Sequence, residues 1–422
     1  MYTVKESSLK LIADAIRSKT KLTEKLSFPD GFASAIEGIK TGGQVEFIPE
    51  KDVNFYDYDG TRIASYTATE ATALTELPVP PEHEGLVFQG WNYTLEEIQA
   101  SAHGADIGAL YTTDDGKTRL YVEIASMERP EVYLNLGVSS SETGAVTVDW
   151  GDSTGETSTD TGGKLQHTYE ATGAYIITIA VPEGVNAILN ASLLSGALKS
   201  SSVKLYMSQL RKVELGDRIH VSGNTFFSAG NLKELSVSRD VTGFGDSTLQ
   251  GTKLRYVTIP RGVTTLGGHL CDSCALERIS IPPTVTSIGA SVFYCAGLNS
   301  LHIPDAVTSL GNYGIYQNDQ LTAVVMGSGI TDLPSYLLRQ CTSLVSVTCL
   351  GDVTRIRQDV FGYCAALKRL DLTHCTTVPT LDNAGALYSI AADCEILVSA
   401  ALEETWKTAT NWTTYAKYIK GV

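Results

Sequence analysis

Apolar residues recur along the second half of the chain at a fixed period. Leu210, Leu232, Leu254, Leu276, Leu298, Leu321, Leu344 and Leu367 stand 22 or 23 residues apart. Each opens one pattern, clearest from Leu276 through Ile279, Ile281, Pro282, Val285, Ile288 and Gly289 to Phe293 and Cys295. The neighbouring units repeat it with Ile259 and Pro260, Leu266 and Gly267, then Ile303 and Pro304, Leu310 and Gly311. The alternation before each proline predicts one short strand, and the apolar pair around Val285 and Ile288 a second. Proline at 260, 282 and 304 ends the first strand where a missing N–H costs nothing. A bulky residue such as Phe293 or Phe361 then fills the interior. A unit this short cannot bury its apolar face alone, so the units are expected to stack as a solenoid. The units before Leu254 and after Leu321 drift, with Met326–Gly327 and Leu350–Gly351 at the proline step.

The front half changes texture three times. Residues 1–42 read as a helical segment: Leu9, Ile12, Ala13 and Ile16 lie at helical spacing, and Phe32, Ala35, Ile36 and Ile39 mark a second helix after Pro29 and Gly31. Residues 45–103 read as a small β module, with a strand through Phe55, a turn at Asp59–Gly60 and a strand through Ile63 and Tyr66. Trp91 and Phe88 are expected to staple its core, and His83 beside Glu84 is too little for acid–base chemistry. Residues 106–184 alternate at Leu120, Val122 and Ile124, at Val132, Leu134 and Leu136, at Val146, Val148 and Trp150, and at Ile177 and Ile179, which predicts a β-sandwich. Residues 185–398 hold the solenoid, and the tail 399–422 resembles the helical C-terminal cap of leucine-rich-repeat arrays, which implies that Trp406, Trp412 and Tyr415 cover the last open coil.

Charge and chemistry narrow the function. The chain of 422 residues carries a formal net charge of -15, which argues against a nucleic-acid partner. No apolar run is long enough for membrane insertion, and no signal-peptide segment opens the chain, so assembly in the cytoplasm is expected. The eight cysteines follow the repeat and are read as small packing residues, with Cys295, Cys341 and Cys364 three before a leucine and Cys274 two before. Cys271 and Cys274 have CxxC spacing but no second pair or histidine for a metal. No metalloprotease, nucleophile-elbow, phosphate-loop or dinucleotide motif occurs, so neither an enzyme nor a cofactor is expected. Ligand contact, if any, is expected on side chains pointing out of the first strand of each unit: Tyr256, Arg278, Ser280, His302 and Arg369. The competing reading of that face is a plain solvated sheet.

Three further resemblances sharpen these expectations. Val148, Asp149, Trp150, Gly151 and Asp152, answered by His167, Tyr169, Gly173 and Tyr175, resemble the W-G-D and H-x-Y pattern of PKD-type immunoglobulin-like domains. That resemblance implies a spacer or binding module; Asp149 and Asp152 are read as bonding local amides, with calcium as the alternative. The repeat between 254 and 320 resembles BspA-like, treponemal-type leucine-rich repeats, which implies surface recognition. Residues 9–36 and the stretches Val53–Gly60 and His83–Asn92 look like the attachment region of tail-associated proteins of phages and prophages of Gram-positive gut bacteria. Together they imply a mainly β, multidomain chain: short N-terminal helices, a small β module, an immunoglobulin-like sandwich and a leucine-rich-repeat solenoid with a helical C-terminal cap. The expected function is a non-enzymatic tail or baseplate component of a virion. It would dock on other tail proteins through its N-terminus, form a homo-oligomer and display the solenoid to a host surface glycan or protein. The alternatives are a bacterial cell-surface adhesin or interaction scaffold with the same repeats, and a cell-wall hydrolase in an untypical domain.

Overall fold

The computed structural model describes residues 52–101, 103–128, 130–140, 144–159, 162–190 and 209–422. The chain divides into two compact units, Met1–Ile48 and Pro49–Val422, and all described residues fall in the second. The helices expected over 1–42 lie outside the described residues.

The first strands are β1 (Asp52–Tyr56), β2 (Arg62–Thr67), β3 (Leu86–Trp91) and β4 (Ala105–Thr113), which form one sheet in the order β2-β1-β4-β3. Two short helices, α1 (Ala68–Thr72) and α2 (Leu95–Ala100), join them. Each opens on a reciprocal cap, Thr67 with Glu70 and Thr94 with Glu97, which satisfies two otherwise orphaned amides. Val53, Phe55, Ile98 and Ile107 are fully buried, and Trp91 stands edge-on to Phe55 at 4.9 Å. Phe88 does not join this core. The β3–β4 register shifts between Phe88 and Gly90, which turns Phe88 to the rim, where it leans on Trp91 and Tyr111. His83 contacts the buried Asp57 through Nε2 at 2.7 Å and braces the turn after β1.

Next come β5 (Thr118–Ile124), β6 (Glu131–Ser140), β7 (Val146–Asp149), β8 (Glu156–Thr159), β9 (Gly162–Thr168), β10 (Gly173–Ala180) and β11 (Val185–Leu189), followed by β12 (Leu210–Glu214), β13 (Ile219–Val221) and β14 (Glu234–Ser236). They build two sheets, β14-β12-β5-β10-β7-β8 and β13-β11-β6-β9. These sheets are shared with the solenoid. Strand β12, which begins at the first periodic leucine, pairs antiparallel with β5, Val213 opposite Leu120. Strand β11 pairs with β6 on one side and with β13 on the other. Leu120, Val122, Leu134, Leu136, Val213 and Leu232 therefore belong to one apolar core that continues without a break to Ile419. The sandwich closes the solenoid's first coil, which would otherwise expose its interior.

From Leu254 each coil carries a first strand and a second strand in register with the coils beside it. Tyr256 lies opposite Arg278, Thr258 opposite Ser280, and Ser300, Ala323, Ser346, Arg369 and Glu395 follow one another. Second strands stack likewise, Leu266 on Ile288 on Leu310. Phe226, Phe293 and Phe361 occupy the bulky interior position and are fully buried. At the far end Trp406 and Trp412 are fully buried, edge-on at 4.6 Å, and Trp412 Nε1 donates to Pro379 O. Ile419–Gly421 adds a last parallel strand to Glu395–Val398.

A third side of each coil turns through two corners in the left-handed region. Ser247, His269, Ser291, Tyr313 and Tyr336 form one corner column, and Ser273, Cys295, Gln317, Gln340 and Tyr363 the other, all with φ between 50° and 63°. Such residues are strained. The strain is offset because the turn aims their amides at the next coil: His269 donates to Ala290 O at 2.9 Å and Gln317 to Arg339 O at 3.0 Å. Both Gln340→Val and Gln340→Gly lose the hydrogen bond from the Tyr316 hydroxyl, so Gln340→Gly is expected to cost about 1 kcal/mol and Gln340→Val about 1–2 kcal/mol more, measured by urea denaturation.

The cysteines obey the same geometry. The Sγ atoms of Cys274, Cys341 and Cys364 donate to the carbonyls of Leu249, Ile315 and Leu338 in the preceding coil, at 2.9, 3.1 and 3.1 Å. Asn318 does the same to Phe293 O through Nδ2. Burial pushes the Cys341 thiol up to about 12, so it keeps the proton it donates. Cys295 does not belong to this ladder. The bulky interior residue precedes the next leucine by five residues at Phe293 and by six at Phe361, so counting back from the leucine slips by one. Cys295 is instead a half-buried corner residue whose thiol meets Gln317 Oε1. Cys341→Ala removes one of the two donors to Ile315 O, since Asn318 Nδ2 also donates to it at 2.9 Å, and is expected to cost about 1 kcal/mol, with Cys341→Ser costing less, by the same denaturation assay.

Candidate recognition surfaces

Two long surfaces of the solenoid present side chains in register. The first is the outer face of the first strands, where Tyr256, Arg278, Ser280, His302 and Arg369 are placed by the sequence. Strand β4 and the loops around it cover the early part of this face. Asn92 is fully buried there: its Nδ2 donates to Ile259 O at 3.0 Å and Ser280 Oγ at 2.8 Å, and its Oδ1 accepts from Gly108 N at 2.8 Å. Ser280 Oγ reaches Asp106 O at 2.6 Å, and Tyr93 donates from its hydroxyl to Ile281 O at 2.6 Å. Tyr256 packs on Tyr56 with ring centroids 5.4 Å apart, and burial pushes its phenol well up.

The expected open column therefore fails at Tyr256 and Ser280, which are 4% and 0% exposed because the module sits on them. Arg278 remains half-buried beside them, donating to Ser300 Oγ at 3.2 Å with its guanidinium over the Tyr56 ring. Arg369 lies past the module; its Nη2 donates to Asp371 Oδ2 at 3.2 Å. The five residues do not converge on one site. Beyond the module the face continues through Ala323, Val325, Ser346 and Thr348.

His302 lies at the edge of the module, and past it Val325 and Ser346 are still buried. The histidine lines a cleft of about 160 Å³ with Tyr93, Glu97, His103, Asp305 and Leu350. Arg261 holds Glu97 through Nη2 at 3.0 Å. Desolvation lowers the His302 imidazole to about 4, against the smaller opposing pull of Asp305. The unfolded chain binds the proton more tightly than the folded one below the ordinary histidine value. Stability from this group is thus complete above about pH 6.5 and falls as pH drops toward 4. At about 1.4 kcal/mol per unit the loss is on the order of 3 kcal/mol at most. His302→Gln should flatten that part of the curve, checked by urea midpoints at neutral and acid pH.

The second surface lies along the corners. Tyr294 stacks on Tyr316 at 4.9 Å, and Tyr313 on Tyr336 at 4.6 Å, each pair from adjacent coils. The Arg339 guanidinium lies over both Tyr336 and Tyr363, at 5.6 and 5.2 Å, and Tyr363 meets Tyr388 edge-on at 5.4 Å. Tyr313, Tyr363 and Tyr388 are 37%, 42% and 58% exposed. Sequence reasoning passed over this ridge. Its signal was present in the 22- and 23-residue spacings of Tyr294 to Tyr316 and Tyr313 to Tyr336.

In the sandwich, Trp150 stacks on His167 at 5.0 Å, and Tyr169 on Tyr175 at 4.1 Å. His167 Nε2 meets Asp152 Oδ2 at 2.6 Å, and Tyr169 donates to Trp150 O. Asp149 accepts from the Gly151 amide and Asp152 from the Thr154 amide, so both carboxylates are engaged in their own turn. Among the described residues no helix is long and apolar enough to cross a membrane.

Comparison with known families assigns the repeat. The model of the BspA type leucine rich repeat region matches residues 183–275 and 264–383. The solenoid is built of BspA-like leucine-rich repeats. No curated protein matches the chain in sequence. Solved structures similar to it include a leucine-rich repeat protein from Eubacterium ventriosum, at 18% identity over 41% of this chain and 58% of that one, TM-score 0.30. The leucine-rich repeat protein of T. pallidum is similar at 17% identity over 49% of this chain and 84% of that one, TM-score 0.34. A leucine rich cell surface protein from Faecalibacterium prausnitzii is similar at 16% identity over 62% and 89%, TM-score 0.26.

Proposed function

We propose that the chain is a non-enzymatic recognition scaffold of a cell surface, an adhesin or protein-interaction platform that presents its solenoid to a surface glycan or protein. The observation that carries this reading is the run of BspA-like repeats, capped at both ends and offering two registered faces of polar and aromatic side chains. Within it the sandwich is a PKD-type spacer, a reading supported by the Trp150, His167, Tyr169 and Tyr175 cluster. The test is binding of the labelled full chain to intact epithelial cells and to arrays of matrix proteins and glycans. Saturable binding lost on unfolding supports the reading, and uniform background on every probe overturns it.

Attachment to a phage tail rests on the resemblance of residues 9–36, Val53–Gly60 and His83–Asn92, and the repeat family favours the cell-surface reading over it. Light scattering on the full chain and on residues 49–422 separates the two. An oligomer that falls to monomer without residues 1–48 favours the assembly component.

A further inference from the structure

The corner ridge has features of a protein-binding surface that the strand face lacks. Tyrosine and arginine supply large contact area and hydrogen bonding at low entropic cost, and they dominate the energetic centres of protein interfaces. Here both residue types are held rigid. Tyr313 and Tyr336 are stacked within 8° of parallel, on backbone corners pinned by amide bonds to the next coil. Each ring gives one face to the other, and Tyr336 also carries the Arg339 guanidinium. A neutral glycan is best recognised by open ring faces, whereas edges and hydroxyls suit the carbonyls and carboxylates of a polypeptide.

Arg339 sets the partner's chemistry. Its side chain is 27% exposed and is sandwiched between the rings of Tyr336 and Tyr363. Among the described residues its Nε is buried without a hydrogen-bond partner; the Asp359 carboxylate forms an ion pair with it at 3.7 Å, too long for a hydrogen bond. A guanidinium presents five donors in a fixed fork, and most of this one's capacity is unspent. Gly362 follows in the next coil, where an added Cβ would come 3.5 Å from Arg339 Cγ, so a large side chain there would crowd the arginine stem.

We propose that the ridge of Tyr313, Tyr316, Tyr336, Arg339, Tyr363 and Tyr388 is the docking surface for a protein segment that sets a carboxylate against Arg339. This deepens the recognition reading above and rests on it.

The test uses the full chain and three fluorescent peptide pools of matched length and aromatic content, rich in Asp and Glu, neutral, or rich in Lys, followed by anisotropy. The acidic pool is expected to bind best. Arg339→Ala and Gly362→Leu are each expected to weaken it at least tenfold, with the second keeping the cation and only crowding its stem. Arg369→Ala, on the strand face, should leave it unchanged. Preference for the neutral or basic pool overturns the proposal, as does equal binding by Arg339→Ala. Binding of a neutral oligosaccharide in place of peptide, lost only in Tyr388→Ala, overturns it in favour of a sugar site. If acidic peptides bind but are lost only in Arg369→Ala, this proposal fails while the recognition reading stands. No binding of any peptide, protein or glycan sinks both.

Discussion

Asn92→Ala releases the β module from the solenoid while the coils stay folded. The side chain is fully buried and joins three elements at once: the Gly108 amide of the module, Ile259 O of one coil and Ser280 Oγ of the next. Alanine leaves Gly108 N–H and Ile259 O without their partner in a dry contact, and each such group costs about 1–3 kcal/mol. The junction is expected to lose about 2–4 kcal/mol. Asn92→Asp should be worse, since a carboxylate would face the carbonyl of Ile259 that the amide now satisfies. Gly108→Ala approaches the same end sterically, because a Cβ there would lie 2.2 Å from Thr258 Oγ1. Hydrogen exchange reads the result: faster exchange in residues 105–113 and 256–280, with protection retained beyond residue 321. Unchanged exchange at Gly108, or loss of protection through the whole solenoid, contradicts this account of the junction.

The same junction marks where the sequence stopped being legible. Strands and interior positions follow from local periodicity, because an inward residue is inward in every coil, whereas the sandwich's role in closing the first coil does not. Capping pairs such as Thr94 and Glu97 were equally readable, though the helix they open was passed over. Asn92 and Ser280 are 188 residues apart, and no period connects a module strand to a repeat strand. The cover over Tyr256 and Ser280 was therefore invisible. Cys295 shows a subtler limit: the unit varies by one residue near the corner, so a count from the leucine assigns a corner residue to the core. The tyrosine ridge was overlooked for a physical reason as well. Aromatic residues are ordinarily core-forming, and only the left-handed corners at Tyr313, Tyr336 and Tyr363 turn these rings outward.

Leu120→Ala is expected to destabilise the sandwich and the first solenoid coils together. Leu120 is fully buried on β5 and lies opposite Val213 of β12. Truncation removes about 2–5 kcal/mol through lost burial and the cavity left behind. In a chain of independent domains that loss would stop at residue 184. Here β5 is the strand on which β12 forms, and β14 forms on β12 in turn. Each coil of a solenoid is held by its neighbours, so a weakened first interface lowers the stability of the coil behind it and fades with distance. Exchange protection should fall at 118–124, 210–214 and 234–236, and less at each later strand, with 395–398 least affected. A single thermal transition at lower temperature in the variant fits this coupling. Two transitions, with only the earlier one shifted, would mean that the shared sheet is a contact between separable domains and that the sandwich does not template the repeat.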